Sequence, residues 1–239
     1  MGTRWATLRR AAELLVLLLR CLRPAEPSGR TGNDPFTIVS ENTGKCIKPL
    51  NDWIVAMDCD GSGDMLWKWV SQHRLFHLQS QKCLGLGITK PTISLRMFSC
   101  NSNASLWWKC EHYSLYGAAQ YRLALKNGHA IASTNSSDVW KKGGTEENLC
   151  DQPYREVYTR DGNSYGRPCE FPFLVNGTWH HECILDETYG GPWCATTLNY
   201  EYDKMWGICL KPGMYGLADF IYGKKMDTIY VMQKGEGRV

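Results

Sequence analysis

The 239-residue sequence predicts an all-β protein, in which a threefold-repeated domain is followed by a small, disulfide-rich module. Two observations carry this prediction: an internal repeat between residues 36 and 150, and ten cysteines spread over residues 46–209. The repeat consists of short segments that are β-branched or aromatic, apolar at every second residue and bounded by Gly, Asn or Asp. Such segments are typical of strands, and we find no capped helical pattern of useful length.

The repeat predicts a β-trefoil, because three units of about 40 residues with four short strands each define that architecture. The units end on the pairs Leu66-Trp67, Leu106-Trp107 and Val139-Trp140. Aromatic residues in phase with a repeat are usually packing residues, so we expect Trp67, Trp107 and Trp140 to fill a shared core. The pattern resembles the ricin B-type lectins, and we assign residues 33–155 to a cysteine-rich domain of that type.

Cysteine pairing in the trefoil follows from the repeat. Cys46–Cys59 and Cys83–Cys100 would each close a loop at an equivalent place in the first two units. Cys110 and Cys150 are left over, and we pair them across the third unit. No two cysteines lie closer than ten positions apart, so the short Cys-x2-4-Cys spacing of a structural zinc site is absent and no metal is predicted.

The amino terminus predicts a secretory signal peptide over residues 1–29, with an uncertain cleavage site. Three arginines precede the apolar run Ala11–Leu19, which is too short to span a bilayer. An amphipathic N-terminal helix is the alternative. Loss of Cys21 with the signal leaves an even number of cysteines, as expected for disulfides formed in the secretory pathway. Three sequons predict glycosylation on the surface: Asn103, Asn135 and Asn176.

The charge balance argues against general nucleic-acid binding. Residues 1–29 hold five of the 27 Lys and Arg residues and two of the 24 acidic ones, which leaves 22 of each in the remainder. A neutral body has no electrostatic footprint for nucleic acid. Residues 213–239 form an atypical tail without cysteine, which we expect to be poorly ordered. No later apolar run reaches the length of a membrane anchor.

Residues 169–209 combine four cysteines with closely spaced aromatics, from Cys169-Glu-Phe-Pro-Phe173 to Trp206-Gly-Ile-Cys209. So short a segment cannot bury enough apolar surface to fold without covalent staples. The pattern resembles the fibronectin type II module, to which we assign residues 164–211. The resemblance implies the pairs Cys169–Cys194 and Cys183–Cys209 and an exposed aromatic surface for ligand. The candidates for that surface are Phe173, Trp179, Trp193, Tyr200 and Trp206, and in so small a module we expect about half of them to be core residues instead.

A signal peptide, a cysteine-rich trefoil and a type II module in this order resemble the amino-terminal end of the mannose-receptor family. The resemblance implies the ligand-binding extracellular portion of an endocytic receptor that captures protein or glycan antigens for delivery to processing compartments in immune cells. The resemblance of residues 164–211 to the type II module implies collagen or gelatin as a candidate ligand. Full-length relatives continue into C-type lectin-like domains and a plasma-membrane anchor. We therefore expect a truncated or spliced form, or a gene-model error, that is secreted without an anchor.

Two alternatives stay open: a soluble lectin-like protein that binds glycans or denatured collagen, and a lectin accessory of a toxin or hydrolase. Residues 141–144 place Lys and Gly where the sulfate-binding relative stacks a tryptophan, so sulfated-glycan stacking is not expected. Lys126, Lys141 and Lys142 are anion candidates, against the simpler interpretation of solvated lysines. His180-His181-Glu182 fails as a zinc-protease motif because position 185 is leucine, and neither enzyme activity nor a cofactor is predicted.

Overall fold

The computed structural model describes residues 34–89, 92–111, 113–144, 149, 154, 156–164 and 166–210. The predicted signal peptide, Cys150 and the tail from 213 lie outside the described residues. The first module contains twelve strands: β1 (Phe36–Ser40), β2 (Cys46–Leu50), β3 (Trp53–Met57), β4 (Leu66–Val70), β5 (Arg74–His77), β6 (Lys82–Thr89), β7 (Thr92–Phe98), β8 (Lys109–Glu111), β9 (Ser114–Tyr116), β10 (Arg122–Lys126), β11 (His129–Ser133) and β12 (Trp140–Lys142). Short 3-10 helices lie at Gly63–Met65, Ser71–His73 and Ala118–Gln120.

These strands divide into three units of four, β1–β4, β5–β8 and β9–β12, and form a β-trefoil. Within each unit the second and third strands make an antiparallel hairpin in the same register. Cys46 pairs with Met57, Cys83 with Phe98 and Arg122 with Ser133. β1 also pairs with both β4 and β12, which ties the first unit to the last. The all-β, trefoil fold predicted from the repeat is confirmed.

One buried tryptophan from each unit reaches across the core to the hairpin of that unit. The indole nitrogen of Trp67 donates a hydrogen bond to the Ile47 carbonyl at 3.0 Å. The corresponding bonds of the other two units run from Trp108 to Leu84 at 2.9 Å and from Trp140 to Leu123 at 3.1 Å. All three acceptors follow the first register pair of their hairpin by one residue. The indole N–H groups are thereby satisfied inside an apolar core, as burial requires.

The prediction that Trp107 is the core tryptophan of the second unit is wrong. Trp107 is 47% exposed, whereas its neighbour Trp108 is 1% exposed and belongs to the core. Successive residues of an extended segment point to opposite sides, so only one of two adjacent tryptophans faces inward. Trp108 lies eight residues beyond Cys100, and Trp67 lies eight residues beyond Cys59. The cysteine spacing therefore identifies the inward position better than the Leu-Trp pairs.

Disulfides close two of the three hairpins. The structure joins Cys46 to Cys59 and Cys83 to Cys100. In both pairs the second cysteine lies two residues beyond the register partner of the first. Cys110 is also disulfide-bonded, but Cys150 lies outside the described residues, so their pairing stays a prediction.

Within the described residues, the second module is built from a four-stranded sheet, a two-stranded hairpin, a 3-10 helix and a short α-helix. Its elements are β13 (Thr159–Arg160), β14 (Phe173–Val175), β15 (Thr178–His180), β16 (Ile184–Asp186), a 3-10 helix at Glu187–Tyr189, β17 (Gly191–Ala195), α1 (Tyr200–Asp203) and β18 (Trp206–Cys209). The sheet order is β13-β18-β17-β16. Because Thr159 pairs with Cys209, this sheet begins five residues before the boundary set from the sequence at 164. The structure joins Cys169 to Cys194 and Cys183 to Cys209. Each helix of the described residues is too short to cross a lipid bilayer.

The β14–β15 hairpin turns through Asn176-Gly177, and both residues have positive φ, 49° and 73°. This Asn-Gly pair is the preferred two-residue hairpin turn. A Cβ added at Gly177 would meet open space, so a substitution there is opposed by the backbone conformation alone.

We expect Gly177→Ala to lower the free energy of unfolding by about 1 to 2 kcal/mol, the cost of a left-handed conformation for a residue with a Cβ. Gly63→Ala is the matched control, since an added Cβ there meets open space without a positive φ. Denaturant unfolding of the oxidised proteins measures both. Equal stability of the two variants would contradict the prediction.

Candidate ligand-binding surface and the module junction

An aromatic cluster occupies one side of the type II module, and we define it as Tyr189, Trp193, Tyr200 and Trp206. The Trp193 ring lies 4.8 Å from Tyr189 and 4.9 Å from Tyr200, between ring centroids. Tyr189 meets Trp206 edge-on at 4.4 Å. Trp193 is 3% exposed, whereas the other three rings are half-buried. The cluster therefore has a buried base and a partly exposed rim.

Three different elements position this rim. Tyr189 ends the 3-10 helix before β17, Tyr200 begins α1 and Trp206 begins β18. The Asn199 side chain caps α1 by accepting from the Glu201 amide, which fixes the start of the helix that carries Tyr200. The arrangement depends on the fold, because the three residues are spread over 18 positions.

The rim combines phenol hydroxyls with a nearby lysine amine. The hydroxyls of Tyr189 and Tyr200 lie 3.0 Å apart and share a hydrogen bond. Burial, together with that bond, raises the pKa of the Tyr200 phenol to about 12. The Lys204 amine lies 4.9 Å from the centre of the Tyr200 ring. Flat aromatic faces with phenol groups at the edge suit a ligand that is mostly apolar and offers hydrogen-bonding groups.

The five candidate ligand residues of this module differ in burial and in position. Phe173 is fully buried and Trp193 nearly so, which places these two candidates in the core rather than on the exposed surface. They fill the core because a small module has few other large side chains to exclude water. Tyr200 and Trp206 lie on the rim. Trp179 is half-buried on β15, opposite Leu174, and makes no ring contact with the cluster among the described residues.

Sequence reasoning missed Tyr189, which contacts both Trp193 and Trp206. The available signal was the turn Tyr189-Gly190-Gly191 just before β17. Gly190 has a φ of 72°, which lets the chain fold back so that a tyrosine four residues before Trp193 packs against it.

The predicted glycosylation sites are all exposed: Asn103, Asn135 and Asn176. Asn176 lies in the β14–β15 turn, next to Gly177, whose amide donates to the Glu201 carboxylate at 3.0 Å. A glycan on Asn176 would start beside α1, the helix that carries Tyr200.

The lysines considered for anion binding have other neighbours. Lys141 lies 2.7 Å from the Glu41 carboxylate. Lys142 is 8% exposed, and its amine lies 5.7 Å from the centre of the Phe36 ring. Lys126 is exposed at the end of β10. The ion pair of Lys141 and the cation–π contact of Lys142 account for these two lysines without a bound ligand.

Three cysteine sulfurs, of Cys169, Cys194 and Cys209, lie within 4.8 Å of one another in the second module. All three belong to the disulfides described above and carry no thiolate. Their closeness reflects the packing of two disulfides and does not form a metal site.

The two modules share a junction organised by Arg74 of β5. Its Nε donates to the Ser71 carbonyl at 2.9 Å, and its Nη1 donates to the Cys100 carbonyl at 3.3 Å. The other terminal nitrogen donates to the Phe171 carbonyl at 3.2 Å and pairs with the Glu170 carboxylate. The Arg74 side chain is 4% exposed and that of Glu170 is 16% exposed. One guanidinium thus satisfies groups from both modules in a buried place.

Backbone contacts and apolar packing strengthen the junction. The Ser71 amide donates to the Phe171 carbonyl at 2.8 Å, and the Phe171 amide donates to the Ser71 hydroxyl at 2.9 Å. Val70 and Phe76 of the trefoil belong to the same buried cluster as Phe171 and Trp193. These hydrogen bonds and apolar contacts hold the type II module against the trefoil.

His181 lies at the edge of this junction and faces a positive charge. Its ring is 5.6 Å from the Phe76 ring, and its Nδ1 is 3.4 Å from the Lys68 amine. The Lys68 amine is also 3.8 Å from the Glu182 carboxylate. Burial, followed by the charge on Lys68, lowers the pKa of His181, while Glu182 opposes this shift.

We expect the protein to lose stability as the pH falls below about 6.5, the ordinary pKa of histidine. The folded-state pKa of His181 is lowered, so the unfolded chain binds more protons than the folded one in acid and the free energy of unfolding falls. Burial lowers the pKa of His77 and His180 in the same direction. Denaturant unfolding at pH 7 and pH 5 should show a smaller loss for His181→Gln than for the unaltered protein. His129→Gln, at an exposed site, is the control, and equal losses in all three proteins would contradict the prediction.

Comparison with known proteins places both modules. Residues 32–151 match the MRC2-like, N-terminal cysteine-rich domain, and residues 169–209 match the fibronectin type II domain. The chain is 75% identical to lymphocyte antigen 75 of Homo sapiens over 212 residues, which are 89% of this chain and 12% of that protein. It is 39% identical to the secretory phospholipase A2 receptor of Bos taurus over 184 residues, 74% of this chain and 12% of that receptor.

Among solved structures, the agglutinin from Abrus precatorius matches 47% of this chain and 48% of its own, with 15% identity and a TM-score of 0.40. The bovine relative is named as a receptor. The chain spans about 12% of the length of the curated relatives it matches.

Proposed function

Since the chain belongs to the mannose-receptor family, we propose that it is the ligand-binding extracellular portion of an endocytic receptor that captures antigens for delivery to processing compartments in immune cells. The identity to lymphocyte antigen 75 extends over both modules and supports this proposal. The chain enters the secretory pathway, where its disulfides form.

The partly exposed rim of the aromatic cluster is the observation that best supports a ligand-binding role for this chain. Tyr189, Tyr200 and Trp206 present aromatic faces on a rigid base, and aromatic residues dominate the binding energy of protein interfaces. The backbone is held by two disulfides, so binding would cost little ordering entropy.

Denatured collagen is the ligand whose chemistry fits this rim. Its Pro-rich chain adopts extended polyproline conformations, which dock into grooves lined by aromatic rings. The carbonyls of such a chain are free to accept hydrogen bonds from the tyrosine hydroxyls.

We test this function by displaying the chain on cells through an added membrane anchor and internalisation signal. Cells that display the unaltered chain should take up labelled denatured collagen into acidic compartments. Trp206→Ala should reduce uptake at least about tenfold, the scale of losing an interface anchor worth about 1.4 kcal/mol or more. Trp53→Ala removes a tryptophan that is 58% exposed on the trefoil and serves as the matched control. Uptake that is the same for the Trp206 and Trp53 variants would refute the assignment of this ligand to the rim.

A further inference from the structure

A cavity of about 410 Å³ lies at the junction of the two modules, and we call it the junction cavity. One wall is the loop at residues 101–107 of the trefoil, and Leu198 of the type II module lies opposite. Gln72, Arg74 and Cys100 complete the lining, and no residue of the aromatic cluster contributes. The volume lies within the range of small-molecule sites, which commonly form where two domains meet.

The junction cavity is polar without being charged. Arg74 is neutralised by Glu170, and its N–H groups are committed to carbonyls. The Gln72 amide nitrogen donates to Glu170 at 3.2 Å, which leaves its carbonyl oxygen to accept from another donor. Since the lining carries no unpaired charge, an anionic or cationic ligand gains nothing there to offset its desolvation.

Two serine hydroxyls in the lining have no hydrogen-bond partner. The hydroxyl oxygens of Ser102 and Ser105 are buried and unpaired within the part of the chain that the structure describes. A buried hydroxyl without a partner costs about 1 to 3 kcal/mol. Both serines line the cavity, and neither hydroxyl has a bond to break, so a rotation about the Cα–Cβ bond would turn either one toward a hydroxylated ligand.

Trp107 supplies the flat apolar face of the junction cavity. It is 47% exposed, because Trp108 rather than Trp107 fills the trefoil core. A large indole left half in solvent beside two unpaired serine hydroxyls is the combination that recognises a ring with one apolar face and a hydroxylated edge. From this combination we propose that the junction cavity binds a neutral saccharide, with one sugar ring stacked on Trp107.

Two alternative sources could supply this saccharide. It is carried by another molecule, or it is the protein's own glycan on Asn103, whose exposed side chain lies in the same loop. Both sources offer the same neutral sugar rings. Asn103→Gln removes the sequon and distinguishes them.

The test measures binding of the methyl glycosides of galactose, mannose and N-acetylglucosamine by saturation-transfer NMR, with N-acetylglucosamine 6-sulfate as the charged comparison. We expect the Asn103→Gln protein to bind at least one neutral glycoside in preference to the sulfated sugar. Adding Trp107→Ala should weaken that binding at least about tenfold, whereas adding Trp53→Ala, at another exposed tryptophan, should leave it unchanged.

The binding results distinguish the two sources of the saccharide and can refute the proposal. Binding by the Asn103→Gln protein and none by the glycosylated protein assigns the cavity to the protein's own glycan. Equal binding by both assigns it to an external saccharide. No binding by the Asn103→Gln protein to any neutral glycoside, or binding that survives Trp107→Ala, overturns the proposal. Collagen binding at the aromatic cluster is a separate measurement that none of these results affects.

Discussion

Replacing Arg74 with alanine is expected to lower the free energy of unfolding by about 3 to 5 kcal/mol, the cost of breaking a buried ion pair from one side. The substitution leaves the Glu170 carboxylate in a site where burial already raises its pKa. It also removes the donor to the carbonyls of Ser71, Cys100 and Phe171. Because these groups come from both modules, the loss should appear as unfolding of the junction before the disulfide-closed hairpins.

Equilibrium unfolding in guanidinium chloride, followed by tryptophan fluorescence, measures the effect. Arg160→Ala is the matched control, since that arginine pairs with Asp161 on the surface, where an ion pair contributes about 0 to 1 kcal/mol. The double variant Arg74→Met with Glu170→Leu should recover much of the loss, because it removes both charges together. A loss below about 1 kcal/mol for Arg74→Ala would mean that the junction does not hold the modules together.

Trp108→Ala should cost about 3 to 5 kcal/mol, the range for truncating a fully buried aromatic residue. The Leu84 carbonyl loses its indole donor at the same time. Trp107→Ala, one residue earlier, should cost less than about 1 kcal/mol because its ring is half in solvent. Thermal unfolding of the two variants measures the difference directly. If Trp107→Ala were the more damaging change, the core of the second unit would be assigned to the wrong tryptophan.

The trefoil could be predicted because its signal is periodic. Hairpins in the same register repeat the same residue types at the same spacing, so Cys46 and Cys83 occupy equivalent places in the sequence and in the sheet. The choice between Trp107 and Trp108 could not be made from the Leu-Trp pairs, because both neighbours are tryptophan. It depends on which side of an extended segment faces the core, and the distance from Cys100 was the usable signal.

The aromatic cluster and the junction were harder to predict. The residue types showed that the type II module has more aromatic residues than its core needs. They did not show which ones are buried: Phe173 belongs to the core, whereas Trp206 lies on the rim. Arg74 and Glu170 are 96 residues apart, and no local pattern marks either of them as buried. Their pairing depends on how the two modules dock, which the sequence of neither module encodes alone.

The most direct test of the binding surface is equilibrium binding of the secreted protein to immobilised denatured collagen, measured for the unaltered chain, Tyr189→Ala and Trp179→Ala. Tyr189 lies on the rim of the cluster, whereas Trp179 lies on the β14–β15 hairpin. We expect Tyr189→Ala to weaken binding at least about tenfold and Trp179→Ala to leave it within about twofold. Unchanged binding by Tyr189→Ala together with loss in Trp179→Ala would contradict the account and place the ligand on the hairpin instead.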